Sequence, residues 1–426
     1  MTTNNTRLFK KSLLAVTITL ASSQAMAAGF QLNSQSATGL GRAFAGDAVI
    51  ADNASVMARN SAAMALFDSS QFSAGINYIK TDIDVKNVKA GGSMPVDSAN
   101  NSSGTPVPNI YYIHRLNDQW AFGAGIYSNF GTTNNFDSSF GSSSILGGAH
   151  TGVSAYGGTT EIKSINYALS ASYRFSEQFS VGAGIDIVQG SGKLERNLTQ
   201  TNPSTGKTST SNLASIDADG VGVGWNIGAV YELDSANRFG FSYHYSPEIE
   251  ADGDMTLTDP TTGRALPLDT LYLSLPSMAE FSGYHEIQDT QFAVHYSVQW
   301  IGWSVFDTLD ADSVAGKQQI GNYQWQDGWH YAIGGTYFLN DAWTLRAGYM
   351  YDTAAQDKVT SISVPDSDRQ WFSAGFTYAF QQQHTVDFGF TYLLGEDVDV
   401  TEGNGALTAT THADAILAGI QYSYSF

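Results

Sequence analysis

From residue 71 onward the chain alternates apolar and polar positions at a spacing of two, in fourteen separate stretches. That period suits strands with one greasy and one polar face. The stretches fall at 71–85, 106–115, 119–130, 161–175, 178–193, 221–232 and 237–250 in the first half of the chain. In the second half they fall at 278–287, 289–301, 328–339, 342–352, 367–380, 384–395 and 412–426. The fifth sets Phe179, Val181, Ala183, Ile185 and Ile187 against Ser180, Gly182, Gly184 and Asp186. The sixth sets Val221, Val223, Trp225, Ile227, Ala229 and Tyr231 against Gly222, Gly224, Asn226 and Gly228. The thirteenth alternates in the same way, with Val386, Phe388, Phe390 and Tyr392 on its apolar face.

The connections alternate in length. Short ones carry turn residues, as at Leu116-Asn117-Asp118, Ser176-Glu177 and Asn340-Asp341, while long ones at 131–160, 194–220, 251–277 and 302–327 are rich in Ser, Thr, Gly, Asn and Asp. An even strand number with short turns at one end and long loops at the other predicts an all-β transmembrane barrel of 14 antiparallel strands. A soluble sandwich also alternates, with its apolar face inward. The aromatic residues decide against it. Tyr173, Phe175 and Phe179 flank one short turn, Tyr337, Phe338 and Trp343 another, Tyr378 and Phe380 a third, as in the girdle of a membrane interface. Ile420, Tyr422, Tyr424 and Phe426 share one face of the last stretch, which looks like the terminal signal of assembled outer-membrane barrels. The polar faces then point into the lumen with Arg174, Asp186, His295, Arg346 and Asp387.

The first seventy residues follow other rules. Arg7, Lys10 and Lys11, the apolar run Leu13 to Leu20 and Ala25-Met26-Ala27 read as a signal peptide spanning 1–27. Residues 28–70 are rich in Ala, Gly, Ser and Asn, keep no sustained period, and cannot bury a core alone. Inside a barrel of residues 71–426 they are the natural plug, an N-terminal hatch.

Composition narrows the function. The chain of 426 residues carries 43 Gly, 9 Pro, no Cys and a formal charge of −20, which becomes −23 once the signal is removed. Such acidity speaks against nucleic acid as a partner, and the lack of cysteine removes disulfide and thiol chemistry. After residue 27 no apolar run reaches the length of a membrane helix, so a span must be built of strands. The eight histidines fall singly, beside no nucleophile motif, and no His or acidic cluster has the spacing of a metal site. GLGRAF at 39–44 begins like a dinucleotide loop but follows no strand of a βαβ unit. No enzyme, cofactor or metal is expected.

AGFQLN at 28–33, GLGRAFAG at 39–46 and ARNSAAMALFD at 58–68 resemble the plug of the FadL family of outer-membrane long-chain fatty acid transporters. LYLSLPSMAEFSGY at 271–284, AIGGTYFLNDAWTLRAG at 332–348 and VPDSDRQWFSAGFTYAF at 364–380 extend the resemblance in matching order. It implies a monomer in the outer membrane of a Gram-negative bacterium, surrounded by outer-membrane lipid. It also implies ligand-gated passive diffusion: capture in a groove of the extracellular loops, transfer to a pocket near the hatch terminus, then lateral exit at an inward kink of the third strand.

The resemblance assigns residues as well. Leu268, Leu271 and Leu273 are expected to line the outer groove and Phe30 the inner pocket. Arg196, in KLERN, matches the family's basic pocket residue, and two parallel hydrogen bonds from a guanidinium suit a carboxylate, the alternative being a plain loop salt bridge with Glu195. The second basic position is Gln326, and only His330 nearby supplies a charge, when protonated. In the hatch the family's Asn-Pro-Ala becomes Asn60, Ser61 and Ala62, which lacks the fixed dihedral of proline. Gly123, in the third strand, is expected to permit the kink. The readings are uptake of long-chain fatty acids, uptake of neutral compounds such as monoaromatic hydrocarbons, favoured by Gln326, or a general water-filled porin.

Overall fold

The computed structural model describes residues 29–426, and the expected signal segment lies outside the described residues. The alternating stretches become β1 (Gln71–Ala90), β2 (Ala99–Arg115), β3 (Trp120–Tyr127, then Gly131–Asn135), β4 (Thr159–Arg174), β5 (Phe179–Thr201), β6 (Thr208–Glu232) and β7 (Asn237–Tyr245, then Glu248–Thr258). The wall continues with β8 (Ala265–Ser274, then Met278–Glu286), β9 (Phe292–Ile301, then Thr308–Ser313) and β10 (Gln318–Asn322, then Gly328–Asn340). It ends with β11 (Trp343–Asp352), β12 (Arg369–Phe380), β13 (His384–Gly395, then Val398–Glu402) and β14 (Leu407–Ser425). Each strand pairs antiparallel with its neighbours in sequence, and β1 pairs β14 from Gln71↔Ser425 to Ala90↔Leu407, which closes a 14-stranded barrel. Closure leaves every wall strand a partner, the condition for crossing hydrocarbon.

The expected faces are inverted relative to a soluble protein. Ile185, Val223, Ile333 and Ile420 are exposed on the outside, while Asp186, Asn226, His295 and Asp387 are buried within. Aromatic pairs gather beside the short turns, with ring centroids 4.7 Å apart for Tyr173 and Phe175 and 4.8 Å for Trp343 and Tyr378. No described helix is long and apolar enough to cross a membrane.

The long connections are more ordered than polar composition suggests. β5 and β6 pair from Tyr231↔Phe179 out to Thr208↔Thr201 with one register shift between Asn212 and Ala214, so most of 194–220 is hairpin and not loop. The stretch 251–277 likewise holds the upper pieces of β7 and β8, paired from Glu248↔Ser274 to Thr258↔Ala265. Serine and threonine conceal these strands from a hydrophobic period, yet β-branched threonine and cross-strand hydroxyl contacts hold them.

Residues 29–65 are buried almost throughout, inside the bore. They form one turn of helix, α1 (Ala37–Leu40), and two 3₁₀ segments, Ala54–Ala58 and Ser61–Leu66. Ser36, Asn53 and Asn60 cap these starts, their side-chain oxygens accepting from Gly39, Ser55 and Ala62 N–H respectively. The wall makes room with glycine. A β-carbon on Gly389 would lie 2.2 Å from the Ala37 carbonyl, and one on Gly228 1.9 Å from the Asn60 side chain.

Candidate functional site

Phe30, near the start of the described chain, is fully buried in an aromatic box. Its ring centroid lies 4.5 Å from Trp303, 5.1 Å from Phe306 and 5.6 Å from Trp325, with Phe130 at 6.3 Å. Edge-to-face contacts of this kind add to simple burial. The box belongs to one large apolar cluster that also contains Leu268, Leu271 and Leu273. The three leucines therefore face inward, 2 to 5% exposed, and do not line an open surface groove. The upper piece of β8 is paired on both sides, and a register shift between Leu268 and Leu271 turns even and odd positions to the same interior.

Above the box opens a chamber of about 570 Å³ whose lining includes Leu194, Arg196, Leu257, Tyr323, Ser363 and Glu402. That volume is in the range of a small-molecule site. Arg196 is held by the Thr159 and Glu195 carbonyls at 2.8 and 3.0 Å and by Thr160 Oγ1 at 2.7 Å. Burial pushes its guanidinium down from the ordinary value, against the pull of Tyr323 and Glu402. Across the chamber Glu402 accepts a 2.8 Å hydrogen bond from Ile362 N–H. Burial pushes this carboxyl up to about 7, opposed by that bond and by the Arg196 charge. The chamber thus offers one cation, one carboxyl poised near neutrality, the amides of Gln319, Asn322 and Asn404, and otherwise apolar or hydroxyl surface.

Gln326 does not join Arg196. It is exposed, its Nε2 donating to the Ala354 carbonyl at 3.2 Å. His330 points the other way, into the bore, where Nδ1 lies 3.3 Å from Asn33 Nδ2 and Nε2 3.1 Å from Asp352. Arg369, fully buried, pairs with both Asp352 and Asp366.

Asn60, Ser61 and Ala62 do come together with wall residues. Asn60 Nδ2 donates to Ala48 O at 2.7 Å within the plug and to Ala229 O at 3.1 Å on β6. Beside it, a β-carbon on Gly182 would stand 2.3 Å from Ala62 N. Gly123 opposes the same 3₁₀ segment, with room only for Met64 and Met57. It sits in unbroken ladder, opposite Ile113 and Ser170, so it is not where β3 bends. The break falls at 128–130, where the chain leaves the wall and Phe130 bridges to Gln31.

An ionic lattice ties plug to barrel. Arg42 pairs with Asp47 and Asp52, Arg59 with Asp47 at 3.3 Å and with Glu280 of β8 at 3.5 Å, and Arg346 of β11 reaches Asp52 at 3.5 Å. The sequence reading missed Trp303, Phe306, Tyr323 and Trp325, although aromatic residues crowded into the polar stretch 302–327 were the available signal. Glu402 left none: one acidic residue in an acidic chain does not stand out.

A closed barrel with a greasy exterior, a stoppered bore and, at its mouth, a chamber of mixed polarity that leads to an apolar cluster is an outer-membrane transport protein for small hydrophobic compounds. Residues 18–426 match the family described as outer membrane protein transport protein (OMPP1/FadL/TodX), and the chain belongs to that family. The family is one of transporters, not enzymes, which places the chain in the outer membrane. It is 35% identical to the long-chain fatty acid transport protein of Escherichia coli K12 and to outer membrane protein P1 of Haemophilus influenzae, over 98% of this chain and 99% of each relative. Among solved structures, a Pseudomonas aeruginosa FadL homologue superposes with a TM-score of 0.80 at 24% identity, covering 94% of this chain and all of that one. The Pseudomonas putida toluene transporter TodX superposes at 0.64, with 20% identity over 88% and 94% of the two chains.

Proposed function

We propose that the chain takes up long-chain fatty acids across the outer membrane by ligand-gated passive diffusion with a lateral exit. The observation that carries this reading is the placement of Arg196 in a chamber that opens onto the apolar cluster around Phe30. A carboxylate meets the guanidinium while the alkyl tail follows leucine and aromatic surface, which a poorly soluble ligand requires. The relatives named as long-chain fatty acid transport proteins support it. Residues 1–27 serve as the export signal, residues 28–70 act as a movable hatch and residues 71–426 as the barrel. The protein works as a monomer in contact with outer-membrane lipid, with Leu268, Leu271 and Leu273 as tail contacts and Asn60, Ser61 and Ala62 as the hatch's hinge on the wall.

Neutral monoaromatic compounds are the second reading, favoured by an aromatic box without a second cation, since Gln326 lies outside it. Uptake of radiolabelled oleate and toluene by a strain carrying only this transporter separates the two. Oleate uptake lost in Arg196→Ala, with toluene unaffected, supports the carboxylate reading; toluene uptake alone in the unaltered protein overturns it. A steady large conductance in planar bilayers indicates a water-filled porin.

A further inference from the structure

The barrel wall has an incomplete seam between β2 and β3, and two prolines lie along it. β2 pairs β1 without a register shift from Gln71↔Ile113 to Val85↔Ala99. On its other side β2 pairs β3 only from Ile110↔Ile126 to Arg115↔Ala121. The upper piece of β3 pairs only β4, so residues 99–109 of β2 have no described strand on that flank.

The backbone that would fill the seam is engaged elsewhere. Leu32 N–H donates to Asn129 O at 2.7 Å and Gly131 N–H to Phe30 O at 2.9 Å, so residues 128–131 are paired to the hatch terminus. Asn101 Nδ2 reaches Asn134 Oδ1 at 2.7 Å as a side-chain clasp across the gap. The cavity left there, about 40 Å³ and lined by Leu32, Pro106, Pro108, Ile126, Ser128 and Ile165, has room for a few water molecules and not for an acyl chain. Leu32 belongs to the hatch interior and Ile126 to the outer wall, so this cavity lies across the wall itself.

An unpaired strand edge in contact with another segment ordinarily zips to it. Here the edge is Thr105-Pro106-Val107-Pro108-Asn109. Alternate residues of an antiparallel strand direct their N–H and C=O to opposite neighbours. Proline has no N–H, and the β1–β2 ladder is uninterrupted through these residues. Thr105, Val107 and Asn109 therefore bond to β1, and Pro106 and Pro108 present their donorless edge to the seam.

We propose that Pro106 and Pro108 prevent β2 from zipping onto residues 128–132, so that the hatch terminus and not the barrel ladder decides whether the lateral exit opens. The direction of its effect on transport rests on the uptake reading. Its structural part does not.

The test is the full-length double variant Pro106→Thr/Pro108→Thr, which keeps strand propensity and restores two donors. At normal surface level, oleate uptake is expected to fall roughly tenfold, the population shift that two added backbone hydrogen bonds place on a closed seam. Oleate binding to the purified variant stays unchanged, because the chamber is untouched. Amide exchange of residues 128–132 slows in the purified variant relative to the unaltered protein. Unchanged exchange together with unchanged uptake overturns the proposal. Where the double variant does not assemble, Pro106→Thr and Pro108→Thr are read singly. Failure of the unaltered protein to import oleate sinks the uptake reading, while the exchange measurement still decides the role of the prolines.

Discussion

Arg59 stands between two carboxylates that belong to different bodies, Asp47 of the plug at 3.3 Å and Glu280 of the barrel wall at 3.5 Å. All three side chains are buried. Removing the cation leaves Glu280 buried without an ion-pair partner and Asp47 with Arg42 alone, which costs about 3–5 kcal/mol at a site of this kind. Arg59→Met is expected to loosen residues 29–66 while the barrel stays folded. Trypsin is then expected to cleave at Arg42, which is buried in the unaltered protein. Adding Glu280→Gln to Arg59→Met restores part of the protection, and equal cleavage of single and double variants contradicts the coupling.

Glycine contacts give a steric counterpart. A side chain at Gly182 has no free space, since its β-carbon would already stand 2.3 Å from Ala62 N and 2.4 Å from the Ser61 carbonyl carbon. Gly182→Val is expected to push the Ser61–Leu66 segment off β5 at a cost of about 1–3 kcal/mol, in the range of overpacked sites. The readout is conductance: intermittent ion passage in planar bilayers, absent from the unaltered protein. Gly192→Val, whose β-carbon would meet only Leu271 at 3.5 Å, is the control and leaves conductance unchanged.

Glu402 makes the chamber pH-dependent. Burial raises its carboxyl from 4.5 to about 7, so the fold favours the protonated form. Its contribution to the stability of this loop region is fully present below 4.5 and is lost as pH rises through about 7. The same ionisation brings an anion into the chamber of Arg196, in competition with a ligand carboxylate. Oleate affinity of the purified protein is expected to fall about three- to tenfold between pH 6 and pH 8, the scale of a partly screened charge interaction. Glu402→Gln removes the part of that dependence not shared by the free ligand. An identical pH profile in the variant contradicts the assignment.

The wall was legible because a membrane barrel exposes its pattern twice over, as apolar-out alternation and as aromatic residues at the interface. Val223, Ile333 and Phe390 can face lipid only in such a fold. The upper strand pieces were not legible, since Thr208, Ser209, Thr210 and Ser211 pair in a ladder that demands no apolar face. The site was legible in part. Phe30 and the leucines at 268, 271 and 273 meet in one cluster, but whether a leucine faces a groove or an interior depends on a register shift that composition does not encode. Gly123 was assigned to the kink by its conformational freedom, whereas the structure uses it for close approach of Met64. The break at 128–130 is fixed by pairing with Gln31, almost a hundred residues earlier in the chain, and distant pairing of that kind has no local signal.

The aromatic box supplies its own reporter. Trp303 and Trp325 lie 5.0 Å apart, and each touches Phe30. The box is closed, so a tail advancing from the chamber has to displace the Phe30 ring and with it the hatch terminus, whose neighbour Gln31 is bridged to Phe130. Under the proposed uptake, ligand arrival is expected to reach the strand segment at the seam through two adjacent residues, Phe30 and Gln31. Oleate is expected to change tryptophan emission saturably in the purified protein, and Phe30→Ala to shift the emission before any ligand is added, because a vacated ring admits solvent or ligand to the indoles. With the ring gone, a ligand no longer displaces it; if displacement is the gating step, Phe30→Ala binds oleate more tightly yet transports it more slowly. A variant that binds and transports as the unaltered protein does removes Phe30 from the gating path.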